Sequence, residues 1–194
     1  VSAEEAEAEA ESETVATKPE PATEALSDLI KAALKGRDPD NFLILDTTKG
    51  QVVIEMRPDL APRHVARIRE LARFYDRVSF HHVREGFVAE TGDPTGKGTG
   101  GSGQTLKAEI SKQPFEAGVV GMKRDRKSID TGDSQFFIML GRAAHLDGKY
   151  TVWGQVKLGL EHIKKLVPGA PPPRPDRILT ARLAADLIDK TEEN

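Results

Sequence analysis

Two segments of this chain constrain its fold more than any other feature. The first, residues 80–103, reads FHHVREGFVAETGDPTGKGTGGSG, and the second, residues 134–137, reads SQFF. Both contain short apolar stretches of strand length, and the first runs into a long glycine-rich loop. Short strands separated by glycine-rich or polar turns are typical of an antiparallel barrel. The two segments therefore predict a mainly β domain.

Further short strands are predicted on both sides of these segments. The turn at 47–50 joins residues 42–46 to residues 51–56 as a hairpin. The remaining strands are predicted at 79–83, 87–90, 119–123, 135–139, 150–156 and within 178–184.

Helices are predicted where apolar residues recur at helical spacing. Residues 61–74 form a helix that plugs one barrel end, and a second helix lies near 160–166. A third helix, residues 23–35, begins behind a threonine N-cap and stops at Gly36. We expect this third helix to pack on the barrel; docking of a partner is the alternative.

Composition divides the chain into parts. Residues 1–22 carry seven glutamates and one lysine and almost no large apolar residue, so a disordered acidic tail is predicted. Residues 23–40 form the N-terminal helix and linker, residues 41–188 the folded domain and residues 189–194 a C-terminal tail. A length of 194 residues suits one domain with a well-buried core.

The composition also narrows the function classes. No apolar run approaches the roughly 18 residues that would suggest a membrane span. Cysteine is absent, which removes disulfides and thiolate chemistry. No dense basic stripe with aromatics supports a nucleic-acid partner. We expect a monomer located in the bacterial periplasm or cell envelope, with the cytoplasm as the alternative.

The sequence pattern argues against two other kinds of site, a phosphate-binding loop and a metal site. The glycine-rich residues 92–101 include a lysine, but a phosphate-binding loop of the Walker type needs a helix directly behind it, and no helix-forming residues follow. His81 and His82 are adjacent, so on a strand they face opposite sides and cannot hold one metal ion together. No metal site is predicted.

The motifs FHHV, GFVAETGD and SQFF resemble the active-site segments of cyclophilins, over about residues 41–186 and most closely in bacterial members. Cyclophilins are β-barrel enzymes that isomerise X-Pro peptide bonds and assist protein folding. The resemblance implies a closed eight-stranded antiparallel barrel capped by two helices, to which this chain adds its N-terminal helix. Proline-containing polypeptides are the implied substrates.

The chemistry of this reaction sets simple requirements. Amide resonance gives X-Pro isomerisation a barrier of about 18–20 kcal/mol, and no covalent bond is made or broken. The enzyme needs an apolar slot for the proline ring, groups that hold the flanking backbone, and a cationic donor near the twisting amide. It needs no metal and no cofactor.

By resemblance, the slot is lined by Phe87, Val88, Phe137 and Leu146. The positions implied in catalysis are His82, Phe87 and Glu90. Substrate contacts are implied for Val88, Met122, Lys123, Arg124, Gln135, Phe137, His145, Leu146 and Tyr150.

Several of these positions depart from the family pattern. His82 stands where the family has its catalytic arginine, and Glu90 where it has a glutamine. An imidazole is shorter than a guanidinium, lacks its fork of donors, and has a reference pKa of about 6.5. His145 occupies a tryptophan position, so weak or no cyclosporin binding is expected. The bend at 73–77 lacks the glycine usual in similar chains.

Two arginines are candidates for a compensating cation. Arg84 lies two residues after His82 and so faces the same side of a strand, while Arg124 lies on the opposite rim. Surface exposure is the alternative for both. Glu90 is expected either to pair with one of these arginines or to raise the pKa of His82.

Two functional hypotheses remain. The first is a peptidyl-prolyl isomerase of reduced activity, whose rate rises below about pH 6.5 as the histidine protonates. The second is a catalytically weak module that binds proline-containing polypeptides as a chaperone or scaffold. In either case the basic segment 123–127 favours acidic residues beside the proline.

Overall fold

The computed structural model describes residues 28–188, and its main element is one antiparallel sheet. The eight strands follow the order β3-β4-β6-β5-β7-β2-β1-β8, and the sheet curls into a half-barrel. The strands are β1 (Phe42–Thr47), β2 (Gly50–Met56), β3 (His82–Arg84), β4 (Val88–Thr91), β5 (Val119–Met122), β6 (Phe136–Met139), β7 (Val152–Leu158) and β8 (Ile178–Leu183). The predicted mainly β class with eight antiparallel strands is confirmed.

The predicted closure of the barrel is not confirmed. The edge strands β3 and β8 share no ladder. Only isolated bridges, Ser79 to Arg177 and Val83 to Gly169, connect this side of the sheet to the segment before β8. That segment contains PGAPPPRP at 168–175, and because proline has no N–H to donate, a continuous ladder cannot form there.

Four α-helices accompany the sheet within residues 28–188: α1 (Asp28–Leu34), α2 (Pro62–Glu70), α3 (Leu160–Ile163) and α4 (Ala184–Ile188). α2 is shorter than predicted, because the chain tightens into a 3₁₀ turn at Ala72–Tyr75. α4 was not expected, since this stretch was assigned to the last strand and the region after it. None of these helices has the length and apolar character needed to cross a membrane.

The helix α1 packs on the outside of the sheet, as expected. Ile30 and Leu34 are buried against Phe42, Ile44 and Val53, which project from β1 and β2. The predicted start of this helix before residue 28, the tail 1–22 and the tail 189–194 lie outside the described residues.

The bend after α2 does follow an unusual backbone path. Arg77 adopts a positive φ of 65°, in the left-handed region where glycine is the ordinary choice. A non-glycine residue there costs roughly 1–2 kcal/mol. Its carbonyl accepts a hydrogen bond from the Arg177 guanidinium at 3.3 Å, which ties the bend to the segment before β8.

Strand alternation gives the sheet two apolar faces. The interior cluster is built around fully buried Trp153, Phe136 and Tyr75, and α2 contributes Val65 and Ile68 to it. A second cluster covers the opposite face of β4, β5 and β6. The functional residues predicted from the sequence, apart from Met122, lie on and around this second, outer face.

Candidate active site

A row of four residues crosses the outer face of neighbouring strands. The register pairs His82 on β3 with Glu90 on β4, Glu90 with Phe137 on β6, and Phe137 with Gly121 on β5. Adjacent strands lie about 4.8 Å apart, so directly paired residues are side-chain neighbours. The sheet therefore places a polar pair immediately beside an aromatic ring.

The four residues assigned to the proline slot lie in one cluster. Val88 and Phe137 form its floor, with only 3% and 5% exposure, while Phe87 and Leu146 are half-buried at its rim. Gly121 leaves room for the floor, because a Cβ there would lie 2.5 Å from the Phe137 ring. The four side chains form one apolar cluster with a partly exposed rim on the outer face, which is called the recess below.

Aromatic and cationic side chains border this recess. The His145 ring stacks on Phe87 at 5.8 Å, and Tyr150 meets Phe137 edge-on at 5.6 Å. The Arg84 guanidinium lies over the Phe87 ring at 5.3 Å, and that of Arg124 lies over Tyr150 at 4.4 Å. Both arginines thus have an aromatic partner at the rim.

The polar end of the row is organised by the carboxylate of Glu90. His82 Nδ1 lies 3.0 Å from its Oε1, and Lys123 Nζ lies 2.5 Å from its Oε2. The Lys123 amine also lies 3.5 Å from His81 Nε2. Glu90 therefore binds one cationic or potentially cationic group through each oxygen.

Electrostatics keep this carboxylate ionised. Burial acts to raise the pKa of Glu90, but the hydrogen bond and charge of Lys123, together with His82, outweigh burial and lower it. An ionised carboxylate can only accept hydrogen bonds. His82 Nδ1 can therefore interact with this oxygen only as a donor, and a neutral ring that carries its hydrogen on Nδ1 has a lone pair on Nε2 and cannot donate to a substrate carbonyl.

The neighbouring His81 is 4% exposed, and its Nε2 lies 3.8 Å from Glu90 Oε2. Burial lowers its pKa, and the positive charge of Lys123 lowers it further. A neutral His81 accepts from the lysine amine through Nε2, which leaves its proton on the buried Nδ1. His81 thus supports Lys123 without carrying charge.

Asp93 holds the glycine-rich loop in place. Its buried carboxylate accepts hydrogen bonds from the backbone N–H groups of Thr95, Thr99 and Gly100 at 2.8 to 3.1 Å. Burial opposes ionisation, but these donors hold the pKa of Asp93 far below its ordinary value. Gly100 has no room for a side chain, because a Cβ would meet Asp93 Oδ1.

The same loop positions Gln135. Its Nε2 donates to the Gly100 carbonyl at 2.6 Å, while its Oε1 is buried without a hydrogen-bond partner within residues 28–188. Gln135 lines a groove of about 690 Å³ together with the glycine-rich loop, Lys123 and Arg126. The groove lies next to the polar end of the row, because the Lys123 that lines it contacts Glu90.

Three expectations for individual residues need correction. Met122 was assigned to substrate contact, but it is 1% exposed and belongs to the interior cluster, because it faces the opposite side of β5 from Gly121. Glu90 pairs with neither Arg84 nor Arg124. Arg124 instead donates to the carbonyls of Lys149 and Asp125, which restrains it at the rim.

Sequence reasoning missed two organising residues. Asp93 was taken only as part of the glycine-rich loop, and Lys123 only as a general substrate contact. The signal for Lys123 was available, because a strand that buries Val120 and Met122 must turn Gly121 and Lys123 to the outer face.

Comparison with known proteins agrees with this geometry. Residues 42–183 match the family model described as "Cyclophilin type peptidyl-prolyl cis-trans isomerase/CLD". The chain belongs to this cyclophilin family. It is a peptidyl-prolyl cis-trans isomerase of the cyclophilin type, as the sequence motifs predicted.

Relatives of this cyclophilin include bacterial, fungal and plant isomerases. It is 42% identical over 168 residues to a probable peptidyl-prolyl cis-trans isomerase of Brucella suis, covering 77% of this chain and 85% of the relative. It is 44% identical over 132 residues to peptidyl-prolyl cis-trans isomerase B of Bacillus subtilis, covering 66% and 90%.

Solved cyclophilins share its fold. AquaCyp293 from Hirschia baltica superposes with a TM-score of 0.71 at 29% identity, covering 84% of this chain and 82% of that one. A cyclophilin-type isomerase of Cryptosporidium parvum, crystallised in the presence of the dipeptide Ala-Pro, gives 0.69 at 25% identity, covering 73% and 98%.

Proposed function

We propose that this cyclophilin isomerises X-Pro bonds of polypeptides slowly at neutral pH and faster in mild acid. The observation that carries the proposal is the close contact between His82 Nδ1 and Glu90 Oε1, which lie 3.0 Å apart. With Nδ1 engaged, a neutral ring faces the substrate with an acceptor, whereas the imidazolium offers a donor through Nε2. Proline binding uses the recess of Phe87, Val88, Phe137 and Leu146.

A cationic donor matters because the transition state has lost amide conjugation. A donor close to the proline nitrogen stabilises that twisted amide more than the planar ground state. Loss of one such preorganised donor typically lowers a rate on the order of 10²–10³-fold. The charged groups around His82 are Glu90 from β4, which it contacts, and Lys123 just after β5, which pairs with the same carboxylate; His81 lies beside it in the chain.

The experiment is His82→Arg, compared with the natural chain by NMR exchange spectroscopy on a model Ala-Pro peptide at pH 7.5. We expect the arginine variant to be faster on the order of 100-fold. His82→Ala serves as the reference without any ring. A natural chain already as fast as the arginine variant would contradict the proposal.

A binding function is the second candidate, and the preserved recess favours it. Apolar contacts to a proline ring do not depend on the donor, so a chain with an intact recess and a poor donor still binds proline-containing segments. Such a module acts as a chaperone or scaffold. Peptide binding without exchange at any pH between 5.5 and 8 would support it over catalysis.

Weak cyclosporin binding is part of the proposal. His145 is exposed and stacks on Phe87, so it presents a smaller ring at the rim than tryptophan. We expect His145→Trp to tighten cyclosporin binding on the order of 10-fold in calorimetry. A monomeric state and an envelope location stay predictions.

A further inference from the structure

We propose that Lys123 is a second cation of this site, held by Glu90, and that it supplies positive charge at the twisting amide when His82 is neutral. The inference rests on the proposed isomerase function and assigns to Lys123 the donor role for which the sequence suggested Arg84 or Arg124.

The position of Lys123 follows from the strand before it. Lys123 comes directly after β5 and two residues after Gly121, so it projects from the same outer face. Its backbone N–H donates to the Gln135 carbonyl at 2.9 Å, which fixes it beside β6. The side chain is 30% exposed and lines the groove next to the recess. The amine is therefore accessible from the path of a bound peptide.

The ammonium group has a donor to spare. It carries three N–H donors. Its nitrogen lies 2.5 Å from Glu90 Oε2 and 3.5 Å from His81 Nε2, so at most two of these donors are engaged by the two side chains. Glu90 and His81 thus orient the amine, and the third N–H is left for a carbonyl of the peptide.

The negative charge of Glu90 is a second reason why a lysine is needed at this site. Glu90 lies between His82 and Phe137 in the row, so its carboxylate is next to the recess. A substrate carbonyl oxygen would be repelled by an unpaired carboxylate there. With Lys123 paired, the group is neutral when His82 is neutral and positive when His82 is protonated.

Within residues 28–188, no other lysine or arginine lies within ion-pair distance of the Glu90 carboxylate. The nitrogen groups within 4.0 Å of the Glu90 carboxylate are those of neutral His81, of His82 and of Lys123. Arg84 lies over Phe87, and Arg124 is bound to carbonyl groups and to the Tyr150 face.

The test compares Lys123→Met, Lys123→Arg and the natural chain at pH 8 and pH 6, with kcat and KM measured separately. At pH 8 we expect kcat of the methionine variant to fall on the order of 10²-fold, with a smaller loss when the His82 ring carries its second proton. KM should change less than kcat. The arginine variant should retain most of the activity, which a purely steric effect of methionine would not predict.

Lys164→Met is the matched control, because Lys164 is exposed near α3 and forms no ion pair with the described residues. It should leave both rates unchanged. Thermal unfolding of each variant excludes loss of fold as the cause of a lower rate.

The outcomes separate the two proposals. A methionine variant as fast as the natural chain at pH 8 overturns the role of Lys123 and leaves the isomerase function standing. Natural-chain activity at pH 6 with none at pH 8 also overturns it, while supporting His82. Absence of exchange at both pH values overturns both proposals.

Discussion

His82 and Glu90 face each other across strands β3 and β4, and the histidine Nδ1 lies 3.0 Å from the carboxylate Oε1. Because of this contact, the histidine that stands at the family's arginine position differs from arginine in the hydrogen-bonding group that it offers a substrate. If the ring donates to this carboxylate through Nδ1, a neutral His82 offers a substrate only the lone pair on Nε2.

The first prediction concerns that proton. When its ring is neutral, His82 should carry hydrogen on Nδ1, and in Glu90→Gln the proton should move toward Nε2, because the amide no longer requires a donor. Long-range proton–nitrogen NMR of the histidine rings at pH 8.5 distinguishes the two tautomers. Finding the Nε2–H form in the natural chain would refute the proposed orientation.

The second prediction concerns acid stability. The folded state lowers the pKa of Glu90 below the ordinary 4.5, because Lys123 and His82 outweigh the effect of burial. The unfolded chain therefore takes up this proton first, and the stabilisation present above about pH 4.5 is lost as the pH falls through the folded pKa.

Glu90→Gln tests this contribution. It should lower the free energy of unfolding at pH 7 by about 1 kcal/mol. It should also flatten the loss of stability between pH 5 and pH 3, as measured by urea denaturation. An unchanged pH dependence in the variant would show that the carboxylate is not held in this way.

Much of this architecture could be predicted from the sequence, because it is local. The strands are predicted by short apolar runs between turns. The residues of the proline slot are predicted by the motifs that contain them. The contact of Lys123 with Glu90 spans 33 positions and depends on how β4, β6 and β5 align, which no local pattern states. Met122 was misplaced because three consecutive residues were assigned to one face, although strand residues alternate.

The third prediction concerns the glycine-rich loop. Asp93→Asn should destabilise the protein by about 1–3 kcal/mol, because its buried carboxylate accepts several charge-assisted hydrogen bonds from the loop. It should also raise KM, since the loop positions Gln135 through Gly100. Asp125→Asn is the control, because Asp125 is exposed, and it should cost less than about 0.5 kcal/mol. Equal stability of the two variants in thermal unfolding would contradict this role of Asp93.

The fourth prediction concerns substrate charge. Arg126 lines the groove and forms no ion pair with any residue of the described range 28–188. Peptides with glutamate beside the proline should bind about 2 to 5 times more tightly than peptides with lysine, the scale of exposed ion pairs of about 0.5–1 kcal/mol. Fluorescence anisotropy should show this preference shrink in 0.5 M salt and reverse in Arg126→Glu. Equal affinity for both peptides would contradict the predicted preference for glutamate.

The most direct test of the whole account is an NMR titration of the labelled protein with a short Ala-Pro peptide. Binding should shift the signals of Phe87, Val88, Phe137 and Leu146 most strongly, and exchange peaks between cis and trans peptide should strengthen as the pH is lowered from 8 to 6. Shifts confined to other parts of the surface, with those four signals unmoved, would contradict the assignment of the outer-face recess as the site where proline binds.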